Sequence, residues 1–409
     1  MIRTRTTRLV VGLATISLVA AACGGDDDTD TADPAPPATD APVDTDTGTD
    51  EPDTTEATAD PADPADPAGM SLADVCPSPF VIQTDWFPEA EHGALYELIG
   101  DDYTVDTGER VVRGPMVSQG EEVGIDVEVR TGGPAIGFSD PRVQMYTDES
   151  IHLAYSTNDS QAIGWENAPV VSVMAPLDKN PQIIMWDPEA WPEVESIADL
   201  GEEGVVVKVF GGGGFSDVFV AQGIWSADQV DPSYDGSPAR FIAEGNIAQQ
   251  GFASAEPYNY EFVFGEFGRP VAFELLHDAG YVGYSQTLGV RTDRLEELRP
   301  CLEQVIPVIQ QAAVDFPSDP DRANAIIIDT VEQYNDFWVY DDGIANFAVD
   351  KMLELGLMAN GHDDTAGTMD GDRIQQVIDD VREAGIAVPD DLTADEMFTN
   401  EFLDPSIGF

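Results

Sequence analysis

Phe80-Val81-Ile82-Gln83-Thr84-Asp85-Trp86-Phe87-Pro88-Glu89-Ala90-Glu91-His92-Gly93-Ala94-Leu95-Tyr96 is the stretch that decides the fold. Its first four residues are apolar up to Gln83 and read as a short buried strand. Pro88 has no N–H and fits ahead of a helix's first turn, so the chain turns at Asp85 to Pro88 and a helix is expected over 92–99. Asp85 and Trp86 then stand just beyond a strand's carboxyl end. In open α/β sheets that is where ligands bind.

The same alternation continues outward. Strands are expected at 125–130, 151–154, 170–174 and 182–186, and a further one at 205–210 runs into Gly211-Gly212-Gly213-Gly214 and a helix over 215–225. Beyond residue 295 apolar residues recur at spacings of three and four, which predicts helices at 295–313, 320–335, 344–356 and 372–384. Strands alternating with helices imply an α/β fold built on open, mostly parallel sheets.

At the amino end, Arg3, Arg5 and Arg8 precede an apolar run over 9–22 that is too short for a spanning helix and reads as an export signal. The run closes on Val19-Ala20-Ala21-Ala22-Cys23, which resembles a bacterial lipobox and implies lipidation at Cys23 and a place on the outer face of the cell membrane. Residues 24–71 are chiefly Asp, Thr, Pro, Ala and Glu and end near the stutter ADPADPADPAG; such a segment cannot bury enough apolar surface to fold and is expected to be a self-repelling tether. Two cysteines remain, Cys76 and Cys301. In an exported chain an even pair reads as a disulfide, here stapling the start of the folded body to a helix near its far end.

The chain carries 78 acids and 18 Lys or Arg; without the fifteen acids of 24–69 and the three leader arginines, the body keeps 63 acids against 15 bases, near −48. Lysine is reduced to Lys179, Lys208 and Lys351, a composition that suits high external salt, where screening makes self-repulsion tolerable. Nucleic acid is excluded as a partner because no basic patch could displace counterions from phosphates.

Asp85-Trp86-Phe87-Pro88 followed by His92-Gly93-Ala94-Leu95-Tyr96 resembles the opening of solute-binding proteins of ABC importers in the nitrate, sulfonate, taurine and thiamine-pyrimidine family. Ala168 to Val173, Asn180-Pro181-Gln182, Ser196 to Leu200 and Gln249-Gln250-Gly251-Phe252-Ala253-Ser254-Ala255-Glu256-Pro257-Tyr258 fall in that family's order. The stretch 101–122 resembles an insertion, and the last twenty residues match no part of the family. The resemblance implies the type II periplasmic-binding fold, two α/β lobes joined by two crossovers. It implies lobe 1 over 72–177 and 281–409, lobe 2 over 178–280, a monomer, and permease subunits as partners. The lobes are expected to stand open until a ligand bridges them.

Ligand-binding candidates follow from strand ends and from the resemblance: Asp85, Trp86, Glu89 and His92; Ser156, Thr157 and Asn158; Gly212, Gly213, Gly214 and Phe215; Gln250, Glu256, Tyr258 and Tyr260. Trp86 serves either as core or as a stacking face for a flat ring. His92 is a helix cap or a donor to a heterocycle. Glu89, Glu91 and His92 crowd one helix start, where adjacent side chains point apart, so no metal and no cofactor is expected. The glycines are a surface turn or a backbone N–H cradle, and they lack the Lys-Ser/Thr of a nucleotide loop. Glu256 faces a basic ligand or pairs with Arg240 or Arg269.

Three functions remain. The first is a tethered receptor for a small nitrogen heterocycle such as a thiamine pyrimidine precursor or a flavin. The second is a same-fold receptor for sulfonate, taurine, nitrate or bicarbonate. The third is a pyrimidine-synthase-like enzyme, which would need a cysteine-rich iron site and cytosolic supply that this chain does not offer. No enzymatic activity is expected.

Overall fold

The computed structural model describes residues 71–409. The export signal, Cys23 and all but the last residue of the tether lie outside the described residues. Among those described, no helix is long and apolar enough to cross a membrane.

Two sheets organise the body. The first takes β1 (Phe80–Gln83), β2 (Thr104–Asp106), β3 (Val111–Ser118), β4 (Glu121–Arg130), β5 (Leu153–Ser156), β6 (Val170–Met174) and, after a long excursion, β12 (Thr287–Arg291). Their order is β2-β3-β4-β1-β5-β12-β6. The second takes β7 (Gln182–Trp186), β8 (Val207–Lys208), β9 (Val230–Asp231), β10 (Ala248–Phe252) and β11 (Ala272–Leu275), ordered β11-β7-β10-β8-β9. Helices flank both, and the chain passes between the sheets over 175–181 and 276–286. This is the two-lobe form expected from the sequence.

β1 is central and entirely buried, which is why it is apolar on both faces. It pairs in parallel with β4 and β5, Gln83 standing opposite Arg130 and Ala154. Elsewhere the sheets are mixed rather than mostly parallel. The return strand β12 runs antiparallel to β5 and β6, and the insertion-like stretch enters as antiparallel β2 and β3, which widen the first sheet beyond β4.

Cys76 and Cys301 are joined in a disulfide, tying the segment before β1 to the helix Leu295–Ser318. That helix and Asp321–Tyr334 pack on the core of the first lobe, with Leu302, Ile306, Ile309, Ile327 and Phe316 fully or nearly fully buried.

The carboxy-terminal segment does not stay with one lobe. The helix Gly371–Glu383 sends Ile374, Ile378 and Val381 into a core that also holds Ile184, Trp186, Phe215 and Phe219 of the second lobe, while Val377 lines the inter-lobe cavity. Past it, Phe398 bridges to Ser172 of β6, and Gln161 Nε2 donates to Met397 O at 2.6 Å. Arg373 fastens both crossovers: it donates to Asp178 O at 2.8 Å and to Val282 O at 2.9 Å, and its guanidinium lies 4.0 Å from the Tyr284 ring centre. The chain from residue 371 on is thus a strap joining the two lobes, and its last twenty residues, the part that matched nothing in the family, put Leu392 and Met397 into the second core and Phe402 into the first.

A cation-poor aromatic cavity between the lobes

A cavity of about 430 Å³ lies where the strand ends of the two sheets face one another. The loop after β1 supplies Asp85, Trp86 and Glu89, the end of β5 supplies Tyr155, Ser156 and Thr157, and the loop after β8 supplies Phe210 and the glycines 211–213. Gln250 and Glu256 come from β10 and the turn beyond it, Ser285 from the second crossover, and Trp338 from the loop after Asp321–Tyr334.

Trp86 is the hub of an aromatic cluster. Phe138, Phe210 and Trp338 lie with ring centres 6.1, 5.8 and 6.0 Å from its own, and Phe210 in turn meets Tyr234 at 4.5 Å. The backbone is shaped for this ring: Gly133 sits at φ +55°, and a Cβ there would fall 2.6 Å from the Trp86 indole. Trp86 and Phe210 belong to different lobes. So do Asp159 and Gly214, whose N–H donates to the Asp159 carboxylate at 2.9 Å. The lobes therefore meet across the cleft, in contrast to the open arrangement expected from the sequence.

The charge of the wall is one-sided. Asp85, Glu89, Asp140, Asp159 and Glu256 line it, and among the described residues no Lys, Arg or His does. Arg142 is engaged by Asp140, and Lys208 stands 5.6 Å from the Tyr234 ring centre without reaching the cavity. Asp85 is held by His92 Nε2 at 2.8 Å and Gln286 Nε2 at 3.1 Å. Glu256 accepts the Phe252 N–H at 2.6 Å, yet burial pushes its carboxyl up to about 7. Glu89 is 3% exposed and held well above the ordinary carboxyl range, first by burial, then by Glu91, Asp85 and Glu256.

Ten of the fifteen sequence candidates line this cavity: Asp85, Trp86, Glu89, Ser156, Thr157, Gly212, Gly213, Phe215, Gln250 and Glu256. Five do not. His92 is fully buried behind Asp85; it neither reaches the cavity nor caps the helix Gly93–Glu97, and its hydrogen bond puts the ring proton on Nε2. Asn158 turns away to accept the Tyr284 N–H at 2.9 Å and so fixes the second crossover. Gly214 begins the helix Gly214–Ala221, and its N–H is taken by Asp159. Tyr258 packs on Phe262 and Phe347 away from the cleft. Tyr260 is buried against Phe241 and instead walls a second, adjoining cavity of about 450 Å³. Neither arginine pairs with Glu256: Arg240 is bound to Asp231 and Glu244, Arg269 to Asp187 and Glu189.

Phe138, Phe210, Tyr155, Tyr234, Ser285 and Trp338, like Asp140 and Asp159, line the wall without having stood among the candidates. Phe138 and Phe210 could have been sought as large apolar residues next to glycine turns. Trp338 carries no local signal, since it lies some two hundred and fifty residues after the Trp86 it packs on.

No family model matches the chain, and no curated protein matches it. Solved structures do resemble it. A protein from Bordetella bronchiseptica RB50 is similar with a TM-score of 0.50 at 11% identity, over 80% of this chain and 96% of that one. The ligand-binding component of an ABC-type import system from Staphylococcus aureus, solved with zinc bound, is similar with a TM-score of 0.50 at 11% identity, over 79% and 97%. The periplasmic aliphatic sulphonate-binding protein SsuA of Escherichia coli gives 0.50 at 13% identity, over 78% and 92%. These likenesses establish the two-lobe type II periplasmic-binding fold. Among the described residues no three His, Cys, Asp or Glu side chains converge as a metal site requires.

Proposed function

We propose that the protein is an extracytoplasmic solute-binding receptor of an ABC importer that captures a small nitrogen heterocycle between its lobes. The observation that carries this reading is the cavity itself: an indole from one lobe and a carboxylate from the other, Trp86 and Glu256, share its wall. A flat ring stacked on Trp86 gains contact area and quadrupole attraction, and ring or exocyclic N–H groups are what Glu256 can accept. The volume is that of a pocket for a small organic molecule. Lipid attachment at Cys23 and the tether would keep a monomer beside its permease, with the ligand released as the lobes part.

The anion reading has less in its favour. A sulfonate or nitrate needs donors, and the wall has no cationic side chain to supply them.

A thermal-shift screen of the protein in high salt, with pyrimidines, flavins, polyamines, sulfonates and nitrate, tests the proposal, because a ligand that binds the folded state raises the midpoint by mass action. A shift from a nitrogen heterocycle that falls by about tenfold in apparent affinity on Trp86→Ala supports it. A heterocycle whose binding is unaffected by both Trp86→Ala and Glu256→Ala places the site elsewhere.

A further inference from the structure

One corner of the cavity holds polar groups that no described residue satisfies. Glu89 is 3% exposed, lines the cavity and accepts no side-chain hydrogen bond from any described residue; His92 Nε2 is 4.0 Å off and already donates to Asp85. The Tyr155 hydroxyl is fully buried and has no partner among the described residues. The Ser285 hydroxyl, 5% exposed, has none either, and it adjoins Gln286, whose amide reaches Asp85. Asp85 links these groups, since Gln286 beside Ser285 donates to it and its charge acts on both Tyr155 and Glu89. Buried polar atoms without partners are costly and rare, and two such hydroxyls beside a carboxyl that accepts from no described residue, all on one cavity wall, point to something that supplies the missing bonds.

The sign of that something follows from the atoms. An ionised Glu89 can only accept and the hydroxyls can take either role, so a guest that donates to Glu89 is one that all three groups can receive. Like-charged neighbours raise Glu89 and would be relieved by positive charge. A bare metal ion is a poor fit, since among the described residues no three ligating side chains converge. The aromatic cluster around Trp86 adds faces that attract cations.

We infer that the corner formed by Asp85, Glu89, Tyr155 and Ser285 is a subsite for the charged, N–H-bearing head of an organic cation, an amidinium or protonated amine carried on a flat ring. This rests on the receptor reading above and narrows it, from a nitrogen heterocycle to one that arrives positively charged. It assigns a grip distinct from Glu256, on the first lobe alone.

Three isosteric probes test it: benzamidine, its neutral counterpart benzamide, and benzenesulfonate, each titrated calorimetrically into the full protein, with zinc and magnesium as controls. Benzamidine is expected to bind with at least about tenfold preference over benzamide and to lose about tenfold in affinity on Glu89→Gln, because a buried carboxylate partner is removed. Tyr155→Phe should cost about fivefold by loss of one acceptor. Circular dichroism of each variant separates lost binding from lost fold. Equal binding of benzamide, preference for benzenesulfonate, a metal response that Glu89→Gln abolishes while benzamidine stays silent, or benzamidine binding indifferent to both substitutions overturns the cation subsite and leaves the receptor reading standing. Silence of every probe, joined by silence across the wider solute screen, overturns both.

Discussion

The two lobes offer the cavity opposite kinds of strand end. In the first lobe, β1 delivers Asp85, Trp86 and Glu89, and the Glu89 carboxylate is left without a donor. In the second, the chain after β8 delivers a run of glycines ahead of a helix, the arrangement that ordinarily cradles an anion. There the place is taken: Asp159 reaches across from the first lobe and accepts the Gly214 N–H. The protein supplies its own anion to the donors and leaves its own acceptors bare. A glycine-rich turn before a helix thus says little about ligand charge until it is known which side chain fills it.

Emptying the filled side should have the largest effect. Asp159 is 8% exposed and accepts from the Ser160 and Gly214 N–H groups and the Thr157 hydroxyl. Asp159→Ala should cost about 3 kcal/mol in chemical denaturation by leaving buried donors unmet. It should also let benzenesulfonate bind where it did not before, a gain that a purely structural role for Asp159 would not produce.

The next effect is smaller and depends on pH. Burial raises the Glu256 carboxyl from its ordinary range to about 7, so the folded state favours its protonated form. A raised folded value contributes stability that is present below the unfolded value near 4.5 and is lost as pH climbs through about 7. The stability difference between wild type and Glu256→Gln should therefore widen by about 3 kcal/mol between pH 4.5 and pH 8, with Glu256→Gln the more stable at the alkaline end. A cationic ligand should reverse this, raising the wild-type midpoint more at pH 8 than at pH 6. A difference that does not change with pH would show that Glu256 is solvated.

The smallest effect is at the indole's floor. Gly133→Ala forces a methyl group toward Trp86 at a positive φ and should cost about 1 kcal/mol, with a matching loss of heterocycle affinity as the ring tilts. Unchanged affinity would separate the position of Trp86 from binding.

What could be read from sequence was what is local in sequence. β1 and its loop were legible because apolar run, Asp-Trp, proline and helix start follow one another, and the helices Leu295–Ser318 and Gly371–Glu383 because their apolar spacing is regular. The six-residue strand expected at 205–210 shrinks to Val207–Lys208, since Val209 N donates to Asp231 O and Phe210 N to the Gln250 side chain instead of continuing the ladder with β10. His92 was a fair candidate by position, but its neighbour Asp85 holds it behind the wall. Tyr155, Ser285 and Trp338 reach the cavity from separate elements, and only the chain path brings them together. The strap beyond residue 371 was invisible because its apolar helix face says that it is buried, not that it is buried against two lobes.

A crystal structure of the protein with a tightly bound heterocycle tests the central claim most directly. The account predicts an N–H-bearing group within hydrogen-bonding distance of Glu89 and the ring against Trp86, with Asp159 still on Gly214. An oxyanion seated on the backbone of residues 211–214, with Asp159 displaced and Glu89 facing only water, would contradict it.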